Sequence, residues 1–296
     1  MIVFAAAALL AIASRGDSLV ERIQSRIAKE PGAEVGLAYV DLASSDTLFI
    51  DADRAFHAAS TMKVPVMIEL FRRSSTGSFR MGQRLMLVNQ FASIVDGSPY
   101  SLDANEDSDS TLYRRIGDRV PIDSLLRLMI TRSSNFATNT LIALVGAENV
   151  NRTMRSLGAQ RIQVLRGVED GKAFERGLNN TTTARDLAII LRAIEEGKAA
   201  SPAATREMLG ILLAQEFNEK IPAGLPPGTR VAHKTGEITA VSHDAAIVFL
   251  SGRRPYVLVV LTRGIADGNK SSKLIADLSA LIYEHSTLKS GHITRQ

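Results

Sequence analysis

Strand patterns at both ends of the chain, with helical periodicity between them, predict an α/β fold of the α+β type. It is an antiparallel sheet built from both termini and covered by helices, with an all-helical subdomain inserted between its halves. Three observations carry this expectation. Residues 35–40 and 47–50 are short apolar runs joined through Ser44-Ser45-Asp46, the pattern of a hairpin. From residue 60 to about residue 191, apolar positions recur at three- and four-residue intervals. Strand patterns then return at 230–238, 245–250 and 256–262, the last two joined by the turn Gly252-Arg253-Arg254-Pro255. The sheet subdomain is expected at about 17–57 plus 200–296, and the helical one at about 58–199, together forming a single catalytic domain.

The elements follow in order. Leu19, Val20, Ile23 and Ile27 form one face of a helix at 19–28 that Pro31-Gly32 ends. The middle of the chain holds helices at 60–72, 122–130, 135–145, 150–157 and 183–195. The last of these has several candidate N-caps in Asn180-Thr181-Thr182-Thr183. A helix at 202–213 precedes the proline- and glycine-rich turn 222–228, and an amphipathic helix at 271–283 closes the chain. No internal repeat or long linker is visible.

Composition excludes several classes of function. Hydrophobic residues make up 45% and charged residues 22% of the 296, an ordinary globular balance. The formal charge of +4 comes from dispersed basic residues, not from a nucleic-acid-binding stripe. Five histidines form no H-x-x-x-H pair and there is no cysteine, so zinc-finger, thiol-nucleophile and disulfide readings fall away. Asp103-Ala104-Asn105-Glu106-Asp107-Ser108-Asp109 resembles the opening of a calcium loop. It lacks the glycine at the sixth position and carries Arg114 at the twelfth, so a solvated acidic loop is expected and no metal. Residues 2–13 are an unbroken apolar run that ends Ala11-Ile12-Ala13. It is too short to span a bilayer and has the length and cleavage pattern of a signal peptide, though without a basic n-region. The expectation is a leader at 1–13, export to a bacterial periplasm or exterior, and no stable membrane insertion after its removal. A monomer is expected.

The chemistry centres on Ser60-Thr61-Met62-Lys63. On a helix, residues i and i+3 share a face, which brings the Lys63 amine within reach of the Ser60 hydroxyl. A desolvated lysine can take the proton of a serine and make it a nucleophile, and first-turn amides can hold an oxyanion. An S-x-x-K tetrad occurs about once by chance in a chain of this length, and Ser286-Thr287-Leu288-Lys289 is a second, in a polar tail. Other groups give the first one weight. Ser133-Ser134-Asn135 opens a helix, where a hydroxyl can pass a proton to a leaving nitrogen and an amide can hold a substrate carbonyl. Alone, such a tripeptide is more often only an N-cap. Lys234-Thr235-Gly236 lies inside a strand, its cation and hydroxyl suited to a carboxylate and its glycine to close approach by a ligand or backbone.

In order and spacing, Ser60/Lys63, Ser133/Asn135 and Lys234-Thr235-Gly236 resemble the motifs of the penicillin-recognising serine enzymes, specifically class A β-lactamases, over nearly the whole chain. The resemblance implies β-lactam substrates, no cofactor, and a glutamate on the loop before the Thr-rich helix that activates the deacylating water. Glu169 stands at the family's interval after Asn135, with Glu175 as runner-up. It also implies that the amides of Ser60 and Glu237 hold the oxyanion. Departures are plain. Ser134 stands where the family has aspartate, which would loosen the loop behind Ser133. Ala173 stands where an asparagine helps hold the water, a role that Asn179 or Asn180 could take over. About 13 extra residues, assigned to 91–109, separate the first two motifs. The carboxylate of Glu237 would repel anionic substrates unless it turns away. The alternatives are a D-Ala-D-Ala carboxypeptidase or serine esterase of the same superfamily, and a non-catalytic binder of β-lactams or cell-wall fragments.

Overall fold

The computed structural model describes residues 18–293, so the apolar run at 2–13 and the expected leader lie outside the described residues. The chain begins with α1 (Leu19–Ile27), β1 (Glu34–Asp41), β2 (Thr47–Ile50) and β3 (Phe56–His57). A 3₁₀ turn, Ala59–Met62, leads into α2 (Lys63–Ser75). Short strands β4 (Arg84–Met86), β5 (Phe91–Ala92) and β6 (Pro99–Tyr100), a 3₁₀ turn at Thr111–Arg115 and β7 (Arg119–Pro121) connect to α3 (Ile122–Thr131), α4 (Asn135–Val145) and α5 (Ala147–Ser156). Then come α6 (Gly171–Glu175), β8 (Thr181–Thr182), α7 (Ala184–Glu195) and α8 (Pro202–Leu213). The chain ends with β9 (Arg230–Ile238), β10 (Val241–Phe249), β11 (Tyr256–Arg263) and α9 (Gly268–Ile293).

The expected architecture is present. A five-stranded antiparallel sheet runs β2-β1-β11-β10-β9, so strands from both termini pair in its middle, Glu34 opposite Arg263 through Asp41 opposite Tyr256. Because successive strand residues face opposite sides, each central strand feeds two cores. Val257, Val259 and Leu261 pack with α2, α3, α4, α7 and α8. Tyr256, Leu258 and Val260 pack with Ile23 of α1 and Leu274, Ile275, Leu278 and Ile282 of α9. That double burial explains why β11 reads as a continuous apolar run rather than an alternating one.

Helix α2 is buried on every side, from Lys63 through Phe71. A helix enclosed in this way is central to its domain, and its only acid, Glu69, accepts a hydrogen bond from Thr153 Oγ1 at 2.6 Å. Pro65 falls in the first turn, where a missing N–H costs little.

Two expectations need correction. Strand β10 begins at Val241, four residues before its expected start, because the buried side chains of His243 and Asp244 find polar partners within the fold. His243 Nε2 meets the His57 carbonyl at 2.8 Å, and Asp244 meets His233 Nδ1 at 3.0 Å. Satisfied polar groups do not interrupt a strand. The second S-x-x-K lies in α9, not in a loose tail; Ser286 is buried and pairs with Tyr39 at 2.9 Å. Among the described residues no helix is long and apolar enough to cross a membrane.

Candidate active site

Ser60 lies in the 3₁₀ turn that enters α2, its register set by backbone strain and local hydrogen bonds. Ala59 has φ +44°, a left-handed conformation costly for a residue with a Cβ. It persists because the surroundings hold it: Ala58 N donates to Asn180 O at 2.8 Å, Ala59 N to His57 Nδ1 at 3.0 Å, and Thr61 Oγ1 to Ala58 O at 2.6 Å. Strand β9 runs alongside. A Cβ on Gly236 would lie 3.0 Å from Ser60 N and 3.1 Å from Thr61 N, so glycine is what lets the strand come this close. Ser60 and Glu237 both line the same cleft.

Lys63 is fully buried. Its Nζ donates to Ser133 O (2.6 Å), Ser133 Oγ (3.1 Å) and Asn135 Oδ1 (3.0 Å). The expected pairing with the Ser60 hydroxyl is replaced by these contacts; among the described residues that hydroxyl has no hydrogen bond and borders the open cleft. Burial pushes the Lys63 pKa down to about 7, against the opposing charges of Asp107 and Glu169. Proton acceptance by this amine is therefore accessible near neutrality. Lys234, also fully buried, donates to Ser133 Oγ at 3.1 Å and to Thr235 O at 2.8 Å. Burial first, and then the charge of Lys63, hold its pKa well below the usual lysine range. With two amines donating to its oxygen, Ser133 keeps its own proton free for another acceptor. Thr235 is buried beside Lys234.

Asn135 bridges two charged groups. Its Oδ1 accepts from Lys63 and its Nδ2 donates to Glu169 Oε1 at 2.5 Å. Glu169 lines the cleft with φ +61°, held there by the residue before it. Val168 N donates to Asn139 Oδ1 at 2.6 Å, while Val168 O accepts from Asn139 Nδ2 at 3.0 Å and from Tyr100 OH at 3.3 Å. Burial raises the Glu169 pKa; the Asn135 hydrogen bond and Lys63 oppose this, and the nearby charges of Asp107 and Glu106 add to it. Glu175, the runner-up, is exposed and does not line the cleft.

The departures are accommodated in particular ways. Ala173 is fully buried in α6. Neither expected substitute amide turns toward Glu169. Asn179 Oδ1 accepts from Arg166 Nη2 at 3.0 Å, and Asn180 ties down the Leu165 and Arg166 backbone at 2.8–3.2 Å. The carboxylate of Glu237 does turn away, accepting from Lys220 Nζ at 3.0 Å. Burial disfavours the charge on Lys220, but Glu219 and Glu237 outweigh that and raise its pKa.

Sequence reasoning missed Lys220, which lies in no motif, and misread the acidic segment. Asp107 and Asp109 are buried rather than solvated. Asp107 accepts from Asn135 N at 2.9 Å and Phe136 N at 2.9 Å, while Ser134 Oγ accepts from Ala137 N at 3.3 Å. The unpaired amides at the start of α4 are thus shared between these side chains, which offsets the loosening expected of Ser134. The signal for Asp107 was an acid amid an otherwise incomplete metal pattern.

The cleft, of about 450 Å³, is bordered by Ser60, Asn135, Glu169 and Glu237, with apolar Phe174 and Ile238 at the rim. Among the described residues no group of three or more His, Asp or Glu side chains is arranged to hold a metal.

Comparison with known proteins agrees with this geometry. Residues 18–286 match the model of the beta-lactamase enzyme family. The chain is 29% identical to Beta-lactamase AST-1 of Nocardia asteroides over 260 residues, covering 86% of this chain and 79% of that one. A mutant of PBP-A, solved as an acyl-enzyme complex with penicillin G, is 28% identical with a TM-score of 0.79, covering 91% of this chain and 96% of that one. The ancestral class A beta-lactamase GNCA is 25% identical, also at 0.79, covering 90% and 100%. With the family model spanning nearly all of the described residues and the sheet, helices and motif residues assembled as above, the chain belongs to the beta-lactamase enzyme family and has the architecture of its class A members.

Proposed function

We propose that the protein opens the β-lactam ring of penicillin- or cephalosporin-type antibiotics through an acyl-enzyme on Ser60 that water then hydrolyses. Ser60 Oγ attacks the lactam carbonyl carbon while Lys63, or Glu169 through a water, takes the hydroxyl proton. The amides of Ser60 and Glu237 hold the developing oxyanion. The C–N bond breaks, and the nitrogen receives a proton from Ser133, which regains one from its amine neighbours. Lys234 with Thr235 anchors the substrate carboxylate. A water that gives its proton to Glu169 attacks the ester carbonyl, and the departing Ser60 oxygen recovers a proton. The chemistry calls for no cofactor.

The observation that carries this reading is the meeting of Lys63 and Lys234 on one hydroxyl, each 3.1 Å from Ser133 Oγ, beside an Asn135 amide that joins Lys63 to Glu169. The test is Glu169→Gln mixed with a chromogenic cephalosporin and followed by intact mass. The expected result is an adduct that persists on Ser60 and a turnover reduced about 10²–10⁴-fold. Turnover at the wild-type rate, or an adduct that survives Ser60→Ala, overturns it.

One observation favours a second reading, a peptidase that is acylated by penicillin and stays so: buried Ala173 offers no amide to a deacylating water. A long-lived wild-type adduct without turnover distinguishes it. We also place the enzyme outside the cytoplasm, on the strength of the apolar run at 2–13, and take it to be a monomer; N-terminal sequencing of exported protein tests the first point and sedimentation the second.

A further inference from the structure

The second motif lacks its usual aspartate, yet the loop it forms is held under strain. Ser133 has φ +58°, a left-handed conformation that persists only where neighbours enforce it. The amides that follow it, at Asn135 and Phe136, open α4 and need acceptors. Ser134 reaches only Ala137 N. The missing acceptor comes from another part of the chain. Both oxygens of Asp107 lie within 2.9–3.0 Å of Asn135 N, and one also takes Phe136 N at 2.9 Å. Asp107 is itself fixed, accepting from Tyr113 OH at 3.0 Å and from Asp109 N at 3.1 Å. It is 9% exposed. A carboxylate at the start of a helix also meets the positive end of the helix dipole.

We propose that Asp107 is a positioning residue for the reaction: delivered by the segment inserted before α3, it replaces in space the aspartate absent at Ser134 and holds Ser133 and Asn135 against Lys63 and Glu169. This rests on the acyl-transfer reading of the site. Asn135 is the only link among the described side chains that hydrogen-bonds both Lys63 and Glu169, and its backbone N–H is the group Asp107 grips. The segment 103–109 is therefore part of the active-site frame. Being a charge and not only an acceptor, Asp107 also acts on the groups around it. These are Lys63 of α2, Glu169 of the loop before α6, Tyr113 of the second 3₁₀ turn, and Asp103, Glu106 and Asp109 of its own segment. Its negative charge favours protonation of both Lys63 and Glu169.

The experiment uses the mature chain, a chromogenic cephalosporin and three variants: Asp107→Asn, Asp107→Ala, and Asp107→Ala with Ser134→Asp. Asp107→Asn keeps an acceptor and removes the charge. Its acid limb of kcat/KM is expected to move to lower pH by about half a unit or more, because Lys63 and Glu169 both lose their protons more readily. A purely structural role would lower the rate and leave that limb in place. Asp107→Ala is expected to lose about 10–100-fold in kcat/KM, an effect of misplaced reacting groups, and the added Ser134→Asp to recover most of it. Wild-type rate and acid limb in Asp107→Asn overturn the proposal, as does a loss in Asp107→Ala that Ser134→Asp leaves unrelieved. Failure of the underlying reading is separate: it would appear as turnover that survives Ser60→Ala.

Discussion

Gly167→Ala should slow deacylation while sparing acylation, and the structure sets the size of the effect. The backbone of Gly167 is not left-handed, so a side chain there is limited by space alone. A Cβ would sit 2.4 Å from Asn139 Oδ1 and 2.8 Å from its Cγ, where ordinary contact begins near 3.4 Å. The amide must retreat by about 1 Å, but it is buried and pinned, with Val168 N at 2.6 Å, Val168 O at 3.0 Å and Tyr100 OH at 3.2 Å. Losing two of these bonds costs about 2 kcal/mol, which for a chain of this size lowers Tm by about 3 °C. Glu169 follows Val168 directly, and a displacement near 1 Å at a reacting group costs about 10²-fold in rate. Ser60, Lys63, Ser133 and Lys234 make no contact with Gly167 or Asn139 in the hydrogen-bond network, so with Lys63 as the base that takes the Ser60 proton the acylation burst should keep its rate. Stopped-flow hydrolysis of a chromogenic cephalosporin, with intact mass at intervals, measures both phases. An unchanged kcat together with an unchanged Tm would refute the reasoning; so would a burst that slows as much as turnover.

Gly236→Ala attacks the other wall: a Cβ 3.0–3.2 Å from Ser60 N, Thr61 N and Ala59 Cβ must push β9 away from the nucleophile turn. Burst rate and turnover should fall together by about 10–10²-fold, as measured by pre-steady-state kinetics. With the Lys63 pKa lowered to about 7, the amine is protonated below that pH and free above it. If it is the acylation base, kcat/KM rises with pH through about 7, and Lys63→Arg, which stays protonated, removes acylation in the same pH-rate assay. Glu237→Gln removes a negative charge from the cleft lining, and with it repulsion of an anionic substrate, while Lys220 Nζ keeps Glu219 at 2.9 Å. KM for penicillins should fall by about two- to five-fold with little change in kcat, as read from saturation kinetics. Removing the Lys172 to Asp96 ion pair at 2.8 Å with Asp96→Ala leaves the rate nearly unchanged, since both partners are exposed.

Local pattern was enough for most of the helices, for the strands of the main sheet apart from the early start of β10, and for the three motifs; the short strands β3 to β8 and helix α6 were not placed. The spacing of apolar residues placed α4 and α8, and β9, at their observed limits, because each buries one face or both and its sequence must show it. Ser60, Lys63, Ser133 and Lys234 stood out because chemistry restricts those residue types. What lay beyond reach were choices made between distant segments. Lys63 turns to Ser133 and Asn135, 70 and 72 residues away, rather than to its near neighbour Ser60. Asp107 caps a helix that begins 28 residues later, Asn179 and Asn180 serve Arg166, and Glu237 folds back on Lys220. Each is a polar group whose partner is decided by which donor or acceptor the packed core leaves within hydrogen-bond range. A buried carboxylate and a solvated one are written with the same letter. Only the folded chain, by removing water from around Asp107 and supplying amides in its place, decides which it is.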